Sequence, residues 1–186
     1  MIQIDRNTTD RLYQGDIIAN VDYIEYAIEK NGEYEISKII YPLVIVLSQD
    51  CDLLQDFRNK NDEEPSNQDK ILFSALVAPL YNIEHVYTGE HLSKLDFKMQ
   101  TIDKRKSKTE NKFLKQNKNP RYHYLRFDES INVVDSIIDF KHFFTVNISY
   151  LERIKETSYI GKVSELYRED ISQRFASFLS RIGLPD

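Results

Sequence analysis

The sequence predicts an α+β fold in which an antiparallel sheet is joined by a C-terminal helix. Three observations lead there. Tyr23-Ile-Glu-Tyr-Ala-Ile-Glu29 alternates apolar and polar residues and runs into Asn31-Gly32, a pair that takes positive φ and closes hairpins. The runs Ile39–Leu47 and Ile71–Pro79 are apolar on both faces and rich in β-branched residues, as central strands are. Leu166, Tyr167, Ile171, Phe175, Phe178, Leu179 and Ile182 repeat at helical spacing and make one apolar stripe.

Taken in order, Gly15–Val21 reads as a first strand, and Tyr23–Glu29 as a half-buried strand paired across Asn31-Gly32 with Tyr34–Ile36. Pro42 sits near the start of Ile39–Leu47, where a missing N–H is tolerated. Gln55–Lys70 is polar, with Glu63-Glu-Pro-Ser-Asn67 at its middle, and reads as a loop. Leu92, Leu95, Met99 and Ile102 are spaced as one face of a helix, which continues into a basic stretch and ends before Pro120. Tyr122–Phe127 and Ile131–Val134 read as a hairpin around Asp128-Glu-Ser130, and Ile137–Val146 as a last strand. In the final helix, Glu165, Glu169 and Asp170 come early and Arg174 and Arg181 late, matching the helix dipole. Gly183 is placed to cap it and Pro185 to end it.

With 186 residues the chain is expected to be one domain with insertions. Its sheet strands fall at about 10–80 and 121–146, the insertion at about 90–120 and the C-terminal helix at about 163–183. Composition is that of a globular protein, with 41% hydrophobic and 30% charged residues. The longest apolar run, Ile39–Leu47, is too short to span a bilayer, so no membrane association is expected. The opening Met1-Ile-Gln-Ile-Asp-Arg6 lacks the pattern of a secretory signal, and a lone cysteine suits a reducing compartment. Together these predict a cytoplasmic protein. The net charge of −5 gives no global basic field, and the 5 glycines are unclustered, which removes Gly-rich phosphate loops.

Three short motifs carry a resemblance: Gly15-Asp16-Ile17, Tyr41-Pro-Leu-Val-Ile-Val-Leu-Ser48 and Leu76-Val-Ala-Pro-Leu80. They resemble the MazF/PemK-like family over roughly the first half of the chain. That resemblance implies an SH3-like, curled antiparallel β-barrel, here with an inserted basic helix and a docked C-terminal helix. Many members are toxins that cut RNA, so it also implies a toxin–antitoxin or phage-defence setting, and such barrels commonly pair as homodimers. The sequence departs from the family at the cleavage residues. Tyr41 stands where an arginine usually precedes the proline, and Tyr81-Asn82 where Thr or Ser usually follows the third motif. The expectation is therefore a non-enzymatic binding module on a MazF-like barrel, contacting nucleic acid or a partner protein. The Ser48-Gln-Asp-Cys-Asp52 segment and the Tyr167–Pro185 tail are also similar to a set of bacterial proteins of unassigned activity.

Two further chemistries rest on the residues themselves. Asp50-Cys51-Asp52 follows a buried strand and reads as a polar strand-end turn. On an extended chain Asp50 and Asp52 point the same way and could hold Mg²⁺, with Asp56 or Asp16 as a third ligand, giving a divergent metal-assisted nuclease. Cys51 could act as a nucleophile if the fold brought His85, His91, His123 or His142 to it, since its two acidic neighbours oppose thiolate formation; otherwise it is a small buried residue. No other cofactor is expected. The pairs Glu84-His85 and Glu90-His91 are of zinc-ligating types but lack a diagnostic spacing. For nucleic acid, residues 103–120 carry seven basic side chains, Lys104, Arg105, Lys106 and Lys108 foremost, against Asp103 and Glu110. Arg121, Tyr122 and Tyr124 follow, where aromatics beside cations could stack on bases.

Overall fold

A computed structural model describes residues 4–7, 11–63, 67–102, 114–129 and 131–181. The elements are β1 (Ile4–Asp5), β2 (Asp16–Lys30), β3 (Glu33–Val46), α1 (Asp50–Lys60), β4 (Ser74–Asn82), α2 (Ile83–Thr88), β5 (Tyr122–Leu125), β6 (Ser136–Asp139), β7 (Phe144–Asn147), α3 (Ile148–Ser158), β8 (Tyr159–Val163) and α4 (Glu165–Leu179). The class is α+β. The chain forms two compact units, one from Arg6–Pro79 and Phe144–Lys162, the other from Met1–Asp5, Leu80–Phe143 and Val163–Asp186.

In the first unit the strands pair antiparallel. β2 and β3 form a long hairpin closed by Asn31 (φ 55) and Gly32 (φ 82), the two left-handed residues that the Asn-Gly pair supplies. Each of these strands merges two of the segments read from the sequence. β8 pairs with Asp16–Ile18 of β2, and β4 pairs with Val44–Val46 of β3. The first half of β4 pairs along its other edge with β7. Ile18, Val21, Val44, Val46, Ala75 and Val77 meet Leu53 of α1 and Leu151 of α3 in one core. Asn147 starts α3 by accepting the Tyr150 N–H at 3.1 Å, and α3 buries Ile148, Leu151 and Lys155.

The segment expected to be a loop from Gln55 is helical as far as Lys60. Asp50 and Asp52 in the first turn and Arg58 and Lys60 in the last favour the helix, which buries Leu53 and Asp56. Asp50-Cys51-Asp52 is thus a first helical turn and not a strand-end turn. Residues 64–66 of that expected loop lie outside the described residues.

In the second unit the latter half of β4 pairs with β6, and β6 with β5. The hairpin partner of β5 is therefore Ser136–Asp139 and not Ile131–Val134. The expected last strand is broken after Asp139, whose carboxylate caps a 3-10 turn, Phe140–His142, by accepting the Lys141 N–H at 3.0 Å. The helix expected at Leu92–Ile102 is replaced by a single 3-10 turn, Ser93–Leu95, closed by Asp96 at φ 59. Gly89 ends α2 in the left-handed region, and the chain folds back so that Met99 N–H meets the Gly89 carbonyl and Ile102 N–H that of Tyr87. Leu92 and Ile102 still reach the core, beside Val86, Leu114 and Ile137.

The C-terminal helix appears as read from its periodicity. Its rings pack within this unit, Phe140 on Phe175 (5.4 Å) and Phe178 (6.0 Å), and Phe143 on Phe175 (5.4 Å). Ile171 is buried with them, whereas Leu166 and Leu179 are exposed. Ile182, Gly183 and Pro185 lie outside the described residues. Among the described residues, no helix is long and apolar enough to cross a membrane.

Candidate functional site

Asp50 is held by ions and amides. It accepts from Arg11 (Nη2 to Oδ2, 3.1 Å) and from the Gln14 N–H (3.3 Å). Cys51 is exposed, and its thiol lies 3.5 Å from Asp52 Oδ1 and 3.6 Å from Gln49 Oε1. Residues two apart on a helix lie about 200° apart around its axis, so Asp50 and Asp52 cannot converge on one cation as they would on a strand. Asp56, offered as a third ligand, is 1% exposed and bonds the Leu72 N–H (2.7 Å) and Lys60 (2.7 Å). No group of three His, Cys, Asp or Glu among the described residues could hold a metal. The four histidines belong to the other unit.

Asp16, the other ligand candidate, is fully buried. One oxygen accepts from Lys155 Nζ (2.7 Å) and from the Tyr13 N–H (2.8 Å), while Oδ1 has no partner. Burial pushes its carboxyl above the usual range, against the pull of Lys155. Lys155 also donates to the Arg11 carbonyl at 2.6 Å. Arg11, Lys155 and Lys162 surround the Tyr13 ring, at 3.4, 5.5 and 4.1 Å from its centre. The cluster fastens the N-terminal segment to α1 and α3. Its members Arg11, Gln14 and Lys155 were not singled out in the sequence, because only the fold brings them to Asp16 and Asp50.

Of the nucleic-acid set, Lys104, Arg105, Lys106 and Lys108 lie outside the described residues. Arg121 is engaged by Asp139, which is fully buried, through Nε (2.8 Å) and Nη2. The Tyr122 ring is buried, and the Tyr124 hydroxyl donates to Asp135. Tyr124's hydroxyl pKa is raised by burial and by that carboxylate. A polar network surrounds Asp139. His142 Nδ1 lies 3.2 Å from Asp139 Oδ2 and 3.2 Å from the Tyr81 hydroxyl, and His91 packs on the Tyr81 ring at 5.1 Å. Both His91 nitrogens are buried, and a contact with the His85 backbone works against that burial. Burial lowers the pKa of His91 and of His142, outweighing the pull of Asp139. Because Arg121 already neutralises Asp139, this network is built to hold the turn after β6 more than to charge an imidazole.

The outer β2–β3 ribbon is an unpartnered surface among the described residues. Beyond Ile18 and before Val44 neither strand has an outer neighbour among the described residues. A bulge between Ile24 and Tyr26 changes the phase of β2. Ile24 stands opposite Lys38 and Ala27 opposite Ile36, so Ile24, Ala27, Tyr34, Ile36 and Ile40 share one face. The four large ones are 51%, 73%, 59% and 53% exposed for Ile24, Tyr34, Ile36 and Ile40. Lys38 pairs with Asp22 on the same face (2.8 Å). The opposite face carries Lys30 to Glu35 (2.6 Å), Tyr26 to Glu35 (3.2 Å) and, at the bulge, Ser37 to Glu25 (2.7 Å), with Ile28 exposed among them. The alternation at Tyr23–Glu29 announced the strand. That its outer part is exposed could not be read, because periodicity does not say what covers a face.

No protein-family model matches the chain, and no curated protein matches it.

Proposed function

We propose that this chain is a non-enzymatic binding module, an SH3-like barrel of the MazF/PemK kind, that takes a partner protein on the outer β2–β3 ribbon. One observation carries the reading: four large apolar side chains are exposed on one uncovered ribbon face, around the Lys38–Asp22 ion pair (2.8 Å). A two-stranded ribbon is marginal in water by itself, and exposed apolar clusters rimmed by charged residues mark interaction surfaces. The test is a photo-crosslinking residue at Ile36 in the producing cell, with Asp62 at the exposed end of α1 as control. A discrete protein adduct at Ile36 and none at Asp62 is expected. Equal labelling at both, or none, contradicts the reading.

Nucleic-acid contact is the second reading, favoured by the local charge of residues 103–120. It requires binding that weakens with salt and with charge reversal of Lys104, Arg105 and Lys106. Binding that ignores both would remove it. The nuclease and thiol readings draw less support, since Asp50 is committed to Arg11 and the Cys51 thiol lies beside Asp52 and Gln49.

A further inference from the structure

We infer that the partner enters as an added strand on the outer edge of β3, through an extended segment whose apolar residues alternate with basic ones. The inference rests on the partner-binding reading and names the partner's chemistry and its mode of attachment. Both edges of the ribbon are open among the described residues, β2 beyond Ile18 and β3 before Val44. The two edges are not equivalent. That of β2 is interrupted by Asn20 at φ 55 and by the bulge between Ile24 and Tyr26. β3 places every residue from Glu33 to Tyr41 opposite one of β2, so its pleat is unbroken over that length. Alternate residues there turn N–H and C=O away from β2, which is the template an extended segment needs. Pro42, which has no N–H, closes the edge at the root. A lysine on an edge strand commonly keeps other strands away, but Lys38 is drawn across the ribbon to Asp22 (2.8 Å).

The pleat sets what the added strand must carry. On one face of β3 stand Tyr34 and Ile36, both exposed, and on the other Glu33 and Glu35. A strand laid alongside sets its residues beside these in turn, apolar next to Tyr34 and Ile36, charged next to Glu33 and Glu35. The sign of that charge follows from the ribbon's own. Between Val21 and Leu43 the carboxylates are Asp22, Glu25, Glu29, Glu33 and Glu35, and the ammonium groups Lys30 and Lys38. Both lysines are engaged within the ribbon, Lys38 by Asp22 and Lys30 by Glu35 (2.6 Å). Glu25, Glu29 and Glu33 have no ion pair among the described residues, so the ribbon keeps negative charge that a cationic segment neutralises. The same charge repels a phosphate backbone from this edge. A third strand also suits the ribbon, since two strands alone are marginal in water.

The experiment uses the full chain and, as probe, a short fluorescein-labelled peptide of alternating valine and lysine, read by fluorescence anisotropy. It should bind at least about tenfold more tightly than the valine–glutamate counterpart, or than the same valines and lysines arranged in two blocks, and more weakly as salt rises. Glu33→Lys with Glu35→Gln should weaken binding about tenfold, whereas Asp69→Lys with Glu169→Lys, both at exposed positions, should change it by less than about twofold. Amide exchange followed by NMR should slow at alternate residues from Glu33 to Tyr41, those that face outward, and stay unchanged along the β2 edge. Equal binding of the three peptides, or protection along β2 instead of β3, overturns the inference. The photo-crosslinker at Ile36 then decides the partner-binding reading. A discrete protein adduct leaves that reading standing without basic strand addition, and no adduct removes both.

Discussion

Replacing His123 with leucine should remove a large part of this protein's acid sensitivity. His123 is 2% exposed, and its Nδ1 is buried without a partner. Burial, with Arg174 adding like-charge repulsion, pushes its pKa down to about 3. Asp170, 3.9 Å from Nε2, is 55% exposed and too well solvated to offset this. The unfolded chain takes up this proton near the ordinary value of 6.5. The folded pKa is the lower one, so the stability linked to His123 is fully present above 6.5 and is lost as pH falls towards about 3. One such histidine costs about 1.4 kcal/mol per pH unit in that window, or about 2 kcal/mol near pH 5. Leucine is of similar size and forfeits no hydrogen bond, so near neutral pH the variant should stay within about 1 kcal/mol of the parent. The sequence has no tryptophan, so urea unfolding followed by far-UV circular dichroism at the two pH values is the assay. The parent should lose about 2 kcal/mol more than His123→Leu between them. Equal losses would refute the reasoning and assign the acid limb elsewhere, with His91 and His142, lowered by burial in the same sense, next to be replaced.

Three other substitutions separate structure from chemistry. Lys155→Met strands the buried Asp16 carboxylate and should destabilise by about 3–5 kcal/mol, whereas adding Asp16→Asn should restore much of that loss; urea midpoints decide it. Gly89→Ala puts a Cβ against the Met99 carbonyl at φ 75 and should cost about 2 kcal/mol, read as a lowered thermal midpoint. Cys51→Ser should change stability by less than about 0.5 kcal/mol, and native Cys51 should be labelled by iodoacetamide without prior unfolding. A thiol protected in the native state would contradict its exposed position.

Strands were legible where β-branched runs had only to be buried, and so was α4, whose buried residues Ile171, Phe175 and Phe178 are all apolar. The helices α1 and α3 were not, for a shared reason. Each places an ionisable residue on its buried face, Asp56 in α1 and Lys155 in α3. These interrupt the apolar stripe and are tolerated only because the fold supplies the Leu72 amide and the Asp16 carboxylate. Leu92–Ile102 erred the other way. Its helical spacing is real, but Gly89 and Asp96 take left-handed conformations, and the same residues reach the core from an irregular chain. At the candidate site, Asp50 and Asp52 were found by composition and misread in conformation. The ribbon was found as strands, but its exposed face depends on which neighbours stop at Ile18 and Val44.

The most direct test of the account is hydrogen exchange of the ribbon amides in the intact protein, alone and with the protein that the photo-crosslinker at Ile36 captures. A ribbon that a partner covers predicts exchange from Ala27 to Ile36 that slows when that protein is added, while amides of the Val44–Val46 strand core stay protected throughout. Ribbon exchange unchanged by that protein would contradict the claim that this face is a binding surface.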